Sequence, residues 1–418
     1  MSFAESEFQN DTVFNIIERD YLTLADNMCR ENSDLLKAIV EEKLIPLMKR
    51  NIVFETIFNR VAFGGSYYKG TKYGSPDEFD LYLVHKFDFK KLKADLKINS
   101  SHNHFGYVKM KMNYERCDRQ VTYEELKKIT RFNDENKFLD QNKFRAWLEG
   151  VFIKALGTLS RDPYHGYELH HDGRTYYINH RKSGPALTIM VRHPSGRKLF
   201  DVDLVPAIEF DGIHLHSGYW VPPAARRQNT THTGNTKSTT NSTEHKKKKR
   251  KNFGYKRYND NKLPFMVVPK PLNKSIPNDN LYWRLCFFQN EKAMLRGEVK
   301  SVIKMMKKFR DTQDLNSMKS YVIETIFYHE LENYKYHLGQ FVRSSKTQLF
   351  IHGLRKLREA LENGKLPYFW NERLNLFQKM SRNEVDNHAN RLGSILNDID
   401  RQIGYNKFIL KKYICGTS

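Results

Sequence analysis

Residues 64–83 read Gly-Gly-Ser-Tyr-Tyr-Lys-Gly-Thr-Lys-Tyr-Gly-Ser-Pro-Asp-Glu-Phe-Asp-Leu-Tyr-Leu, and no other stretch constrains the chain so strongly. Phe79–Val84 has the composition of a buried strand, yet it begins with Glu78 and Asp80. Alternate residues of a strand face the same way, so the two carboxylates point at one spot. A hard cation such as Mg²⁺ takes oxygen ligands and keeps substrate phosphates as the rest of its shell. Two such ions, about 3.5–4 Å apart, activate an attacking hydroxyl and stabilise a leaving pyrophosphate. Upstream, Val61-Ala62-Phe63 reads as a short strand. Gly64-Gly65-Ser66 then reads as a turn whose backbone N–H groups and hydroxyl can wrap phosphate oxygens. A third carboxylate is expected from a distant strand. The segment Leu199–Ile208, LFDVDLVPAI, supplies it, with Asp201 and Asp203 on one face and no reason in composition to choose between them. An E-x-D strand alone is common; the Gly-Ser turn and the later D-x-D strand together predict a metal-dependent nucleotidyltransferase site.

Around this stretch the hydrophobic period changes along the chain. Ser33 can cap a helix from Asp34, on which Leu36, Ile39, Val40, Leu44, Leu47 and Met48 form an apolar stripe. Pro46 is expected to kink this helix rather than end it. Lys37, Lys43, Lys49 and Arg50 lie off the stripe and give the helix a basic outer face. A helix around Lys143–Ala155 and a further strand at Gly212–Trp220 complete an α/β half with a mixed or antiparallel sheet. Residues 226–262 break the pattern. Asn229–Thr243 is nearly all Asn, Thr, Ser and Gly, and it leads into six consecutive cations, Lys246, Lys247, Lys248, Lys249, Arg250 and Lys251. Such a segment cannot bury enough surface to order itself and reads as a flexible basic insertion. From Tyr282 onward the pattern is helical. The expected organisation is an N-terminal segment and helix over 1–60, an α/β core over 61–270 and a helical lobe over 271–418.

Lys and Arg number 70 against 48 Asp and Glu, a formal charge of +22 that calls for an anionic partner or solvation. Lys300, Lys304 and Lys308 recur four apart, opposite Val302, Met305 and Phe309. With the basic face of the first helix they could form one platform for a phosphate backbone. No stretch approaches the ~20 apolar residues of a membrane-spanning helix. The first residues lack the basic start and apolar run of a secretory signal. Cys29, Cys117, Cys286 and Cys415 lie far apart, which argues against a disulfide scaffold or a structural zinc site and fits a cytoplasmic protein. His214-x-His216 has no third ligand and reads as an ordinary strand pair.

Gly65-Ser66-Tyr67-Tyr68 followed by Pro76-Asp77-Glu78-Phe79-Asp80 resembles the active-site segment of cyclic GMP-AMP synthase and its animal receptor relatives. The likeness continues in order through Val202-Asp203-Leu204, Val267-Val268-Pro269-Lys270, Trp283-Arg284-Leu285-Cys286-Phe287 with Glu291, Met306-Lys307, Ser320-Tyr321 and Leu366–Phe377. The resemblance implies an α+β bilobal nucleotidyltransferase fold with a long N-terminal spine helix, a helical C-terminal lobe and the active site in the cleft. It implies that Glu78, Asp80 and Asp203, rather than Asp201, hold two Mg²⁺ or Mn²⁺ ions, and that Gly65 and Ser66 hold a triphosphate. It implies acceptor contacts from Arg284 and Glu291 and donor contacts from Lys307, Ser320 and Tyr321, the last by stacking on a base. The vertebrate DNA sensor of this family carries a zinc ribbon where this chain has only Arg296–Ser301, without Cys or His. No zinc is expected, and the chain is similar to insect receptors that respond to double-stranded RNA. ATP and GTP are then the substrates, cyclic GMP-AMP the product and a STING-type receptor the downstream partner. The alternatives are a template-independent RNA nucleotidyltransferase and a catalytically inactive scaffold of the same fold.

Overall fold

The computed structural model describes residues 10–23, 26–89, 94–99, 106–113, 127–128, 130–184, 186–210, 264–270, 272, 276–406 and 408–416. The run Lys246–Lys251, the histidines at 214 and 216 and the strand expected at 212–220 lie outside the described residues. A short helix α1 (Thr12–Ile17) and a π-helical turn (Glu18–Leu22) precede the spine. The spine runs unbroken as α2 (Asp26–Lys37), a π-helical stretch (Ala38–Leu44) and α3 (Ile45–Met48). It therefore begins at Asp26, not at Asp34, and Ser33 is inside it rather than capping it. The apolar stripe fails to announce this first part because its inner face is polar. Asn32 is buried and donates to the Pro76 carbonyl at 3.0 Å, and the Ser33 hydroxyl lies 3.1 Å from that of Tyr67. Pro46 is accommodated by the wider π turns just before it, where its missing N–H and its ring would otherwise break an α-helical ladder.

After α4 (Ile52–Ile57), strand β1 (Phe58–Gly64) leads into α5 (Gly65–Lys69), and β2 (Glu78–His85) follows. The remaining strands of the large sheet are β3 (Asp88–Phe89), β4 (Ala94–Asn99), β5 (Tyr107–Asn113), β6 (Arg161–Asp162), β7 (Gly166–His171), β8 (Arg174–Ser183), β9 (Ala186–Arg192), β10 (Lys198–Phe210), β11 (Phe265–Val268) and β12 (Trp283–Cys286). Their order is β3-β4-β5-β12-β11-β10-β9-β8-β7-β6, with β2 paired to β10 and β1 paired to β2. The β2–β10 pairing is parallel and the other named pairings are antiparallel, so the sheet is mixed as expected. Trp283–Cys286, expected to open the helical half, is instead a strand between β5 and β11.

One side of this sheet is closed by the spine and by α6 (Gln141–Leu156). Phe79, Leu81 and Leu83 of β2 and Val202 and Leu204 of β10 pack there with Leu36, Ile39, Val40 and Leu44. Fully burying each such side chain contributes about 1.5–3 kcal/mol. Because the strand alternates, this apolar face commits Glu78, Asp80 and Tyr82 to the opposite side, where the second lobe sits.

That lobe contains α7 (Phe288–Met294), α8 (Val299–Thr312), α9 (Ser320–Asn333), α10 (Leu338–Phe341), α11 (Lys346–Glu362), a hairpin of β13 (Pro367–Tyr368) and β14 (Asn371–Asn375), α12 (Arg382–Gln402) and α13 (Ile409–Cys415). Helix packing in this lobe is close at Gly353 on α11. A Cβ there would stand 2.7 Å from the Met306 sulfur and 2.9 Å from the Phe327 ring. Gly353→Ala should destabilise by about 1–3 kcal/mol through overpacking. Urea unfolding would check it, and an unchanged midpoint would mean that the neighbours yield freely.

The start of the described chain belongs to this lobe too. The Asp11 carboxylate accepts from the backbone N–H of Lys346 and of Thr347, both at 3.0 Å, at the N-terminus of α11. Glu18 pairs with the Lys346 ammonium at 2.5 Å and accepts from the Ser301 hydroxyl at 2.6 Å. Phe14 meets Phe350 edge to face, ring centres 5.3 Å apart. Residues 11–18 thus strap the helical lobe before the chain crosses to the spine.

Candidate active site

Gly65 opens α5 with φ +69°, in the left-handed region that favours glycine. A Cβ on it would stand 1.8 Å from the Asp80 carboxylate, so the Gly-Ser turn and the acidic strand meet at contact distance. The parallel register of β2 and β10 sets Asp203 beside Asp80 and Asp201 beside Glu78. The two aspartates of β10 differ in their partners. Asp201 is held by Lys198 at 2.9 Å and by Arg181 at 3.5 Å. Asp203 accepts one short bond, 2.5 Å, from the Thr188 hydroxyl. Burial and the charges of Glu78 and Asp203 push the Asp80 carboxyl up to about 6. Glu78 remains largely exposed, its backbone carbonyl 3.5 Å from the Lys72 ammonium, which also pairs with Asp77.

A cavity of about 720 Å³ opens in front of this strand, between the two lobes. Gly65, Ser66, Glu78, Arg284, Glu291, Lys307, Ser320 and Tyr321, each singled out in the sequence, all line it. Asp80 and Asp203 are not on its wall; Asp80 meets it through Gly65. Among the described residues, no three His, Cys, Asp or Glu groups close around a point as a complete metal site. The donor set Glu78, Asp80 and Asp203 is all oxygen, suits a hard divalent ion, and is open, so a nucleotide's phosphates would supply the remaining ligands. The crowding that raises Asp80 is what a bound cation would relieve.

Across the cavity, the lobes are joined by a buried polar cluster that the sequence did not announce. The Lys69 ammonium donates to Glu291 at 2.6 Å, Glu324 at 2.9 Å and the Tyr328 hydroxyl at 3.1 Å. The Lys307 ammonium donates to Glu324 at 2.7 Å and to the carbonyl and hydroxyl of Thr71, both at 3.2 Å. Glu291 also accepts from the Tyr321 hydroxyl at 2.5 Å and the Trp370 indole at 3.0 Å. Burial works against the Lys69 charge, but Glu291 and Glu324 hold its ammonium well above the usual range. Burial likewise opposes ionisation of Glu324, and Lys69 and Lys307 overcome it, holding the carboxyl down at about 2. The Ser320 hydroxyl accepts from Arg310 at 2.7 Å. Lys270 sits at the rim; partial loss of hydration and the crowding of Arg284, Lys319 and Lys379 push it down to about 8.

The basic residues form two separate rows. Lys37, Lys43, Lys49 and Arg50 are exposed along the spine. Lys300, Lys304 and Lys308 are half-buried on α8, above fully buried Val302, Met305 and Phe309. Lys300 reaches over Gly70, directly after α5, and Lys304 lies near Glu18 of the strap. Between α7 and α8, Arg296-Gly297-Glu298 makes a tight turn, Gly297 at φ +54°.

Comparison with known proteins agrees with this architecture. Residues 67–297 match the Mab-21 protein nucleotidyltransferase domain and residues 298–394 the Mab-21 protein HhH/H2TH-like domain. A cyclic GMP-AMP synthase-like receptor of Trichogramma pretiosum is 34% identical over 98% of this chain and 76% of its own length. Receptors of the same name from Microplitis demolitor and Tribolium castaneum are 29% and 28% identical, over 95% and 93% of this chain and 66% and 89% of their own lengths. Among the described residues no helix is long and apolar enough to cross a membrane. With a nucleotidyltransferase domain over more than half its length and whole-chain likeness to these receptors, the chain belongs to the Mab-21 nucleotidyltransferase family, among its cyclic GMP-AMP synthase-like receptors.

Proposed function

We propose that the protein joins ATP and GTP into a cyclic dinucleotide of the cyclic GMP-AMP type when a double-stranded RNA binds it. The product would act as a cytoplasmic second messenger for a STING-type receptor in innate immune signalling. The observation that carries this reading is the contact of Gly65 with Asp80, which has Asp203 beside it on the next strand, at a cavity lined by Ser66, Glu78, Arg284, Glu291, Lys307, Ser320 and Tyr321.

In this reading Glu78, Asp80 and Asp203 would hold Mg²⁺ or Mn²⁺, which would supply charge stabilisation for deprotonation of the attacking hydroxyl and for release of pyrophosphate. The Ser66 hydroxyl and the turn's backbone N–H groups hold the donor triphosphate. Lys307 and Ser320 face it from the other lobe, and the Tyr321 ring offers a surface for the donor base. Arg284 and Glu291 orient the acceptor, so its hydroxyl meets the donor in a fixed geometry. The same site then acts on the linear dinucleotide to close the ring.

Activation by RNA is supported by the short turn at 296–298, which leaves no room for a metal ribbon, and by the basic rows on the spine and α8. A-form duplexes are recognised mainly by shape, phosphates and 2′-hydroxyls, which suits rigid basic helices. The run Lys246–Lys251 would add affinity for polyanions without specifying them. ATP, GTP and Mg²⁺ should yield a small cyclic product, seen by chromatography, that rises with duplex RNA but not with a DNA duplex of matched length and sequence. Equal stimulation by both duplexes would discard the RNA-sensor reading, and an elongated RNA in place of a cyclic product would make the protein an RNA-tailing enzyme. Absence of any product with either duplex would leave the scaffold.

A further inference from the structure

Lys69 is the last residue of α5, three positions after the Gly-Ser turn, in a stretch, Lys-Gly-Thr-Lys, that has the composition of a solvated loop. The side chain does the opposite of what such a loop implies. It is 6% exposed, turned across the cleft, and its ammonium is spanned by carboxylates from two helices of the other lobe, Glu291 on α7 and Glu324 on α9. Three aromatic rings, of Phe288, Tyr321 and Tyr328, lie 5.6–5.7 Å from the same ammonium. Two residues on, Thr71 bonds Glu324 and receives Lys307. The cluster is electrically closed, with Lys69 and Lys307 against Glu291 and Glu324, all at most 6% exposed.

We propose that Lys69 is a positioning residue, a tie that fixes the acceptor-contacting Glu291 and, through Glu324, the donor-contacting Lys307 relative to the phosphate-binding turn. This rests on the proposed function, since it assigns Lys69 its effect through residues given nucleotide contacts there. The chemistry requires both. A carboxylate with one oxygen committed to Tyr321 and Trp370 and the other to Lys69 has no freedom to rotate. Without the ammonium, one oxygen loses its partner, and Glu291 is a buried anion with no cation bonded to it, because Lys307 bonds Glu324 and Thr71 instead. The turn and the opposite lobe also lose one of their buried connections, which leaves the Thr71 bonds to Glu324 and Lys307 to join the two halves without fixing Glu291.

A structural role and a positioning role separate in a charge-balanced pair of variants. Lys69→Met leaves one unmatched negative charge; Lys69→Met with Glu324→Gln restores neutrality while leaving Glu291 untied. Melting temperature, kcat and KM for ATP and GTP with saturating duplex RNA, and equilibrium affinity for non-hydrolysable ATP and GTP analogues would be measured on the whole chain. Lys69→Met should lower the melting temperature, weaken acceptor binding and lower kcat/KM by about 10²-fold, the rate cost of an ångström-sized misplacement. The double variant should regain the melting temperature but keep the raised KM and weakened analogue binding. Recovery of both by the double variant, or wild-type nucleotide affinity in either variant, overturns the tie and leaves the proposed function standing. A wild-type chain that binds neither nucleotide overturns the proposed function and the tie with it.

Discussion

Glu78→Gln combined with Asp80→Asn is expected to abolish dinucleotide synthesis and to leave duplex affinity nearly intact. The two carboxylates stand on the front of β2, whereas the basic rows lie on the spine and α8, so the substitutions touch only the chemistry. Charge stabilisation by a cation held there is worth several kcal/mol. At about 1.4 kcal/mol per tenfold in rate, the loss is on the order of 10³-fold or more. Folding should not suffer. Asp80 is crowded by Glu78 and Asp203, and neutral isosteres remove that repulsion. Product yield and gel-shift affinity on the same preparation test this; yield above a few per cent would remove these residues from the site.

Gly65→Ala is the second large effect, and it tests the meeting of turn and strand rather than the charges. The added methyl would have to displace the Asp80 carboxylate, 1.8 Å away, and the backbone would have to hold a left-handed φ of +69°. The conformation alone costs about 1–2 kcal/mol. Moving Asp80 by the ångström needed to clear the clash should lower kcat by about 10²-fold. Gly74, also at positive φ but with open space around it, is the control. Gly74→Ala carries the same conformational cost without the clash, so comparable kcat losses in the two variants would mean that contact with Asp80 is unimportant.

The site was legible where chemistry interrupts pattern. Glu78 and Asp80 stand out because they sit in a strand whose other residues are apolar, and the β2–β10 register puts Asp203 beside Asp80. Choosing Asp203 over Asp201 needed the family resemblance, and the neighbouring side chains give the physical difference: Asp201 already has two cations. Lys69 was illegible because its partners lie 222 and 255 residues away, and a lysine between tyrosine and glycine gives no local sign of burial. The first turns of the spine were missed for a related reason. Asn32 and Ser33 make their inward contacts by hydrogen bonds, and a periodicity of apolar residues does not register those. Trp283–Cys286 is four residues long and abuts a helical run, too short for alternation to be read.

The strap from Asp11 to Glu18 has a consequence for how the chain is made. Its anchoring partner, the start of α11, follows Asp11 by 335 residues. At ribosomal rates of ~5–20 residues per second, roughly 20 to 70 s separate the emergence of the two. Throughout that interval Val13, Phe14 and Ile17, fully or nearly buried at the end, have no lobe to cover them. The α/β lobe can assemble on the nascent chain, but α11 cannot receive its cap from Asp11 until the helical lobe has been delivered. Completion is therefore a late docking of an early segment, whose apolar triplet stays uncovered for as long as α11 is missing.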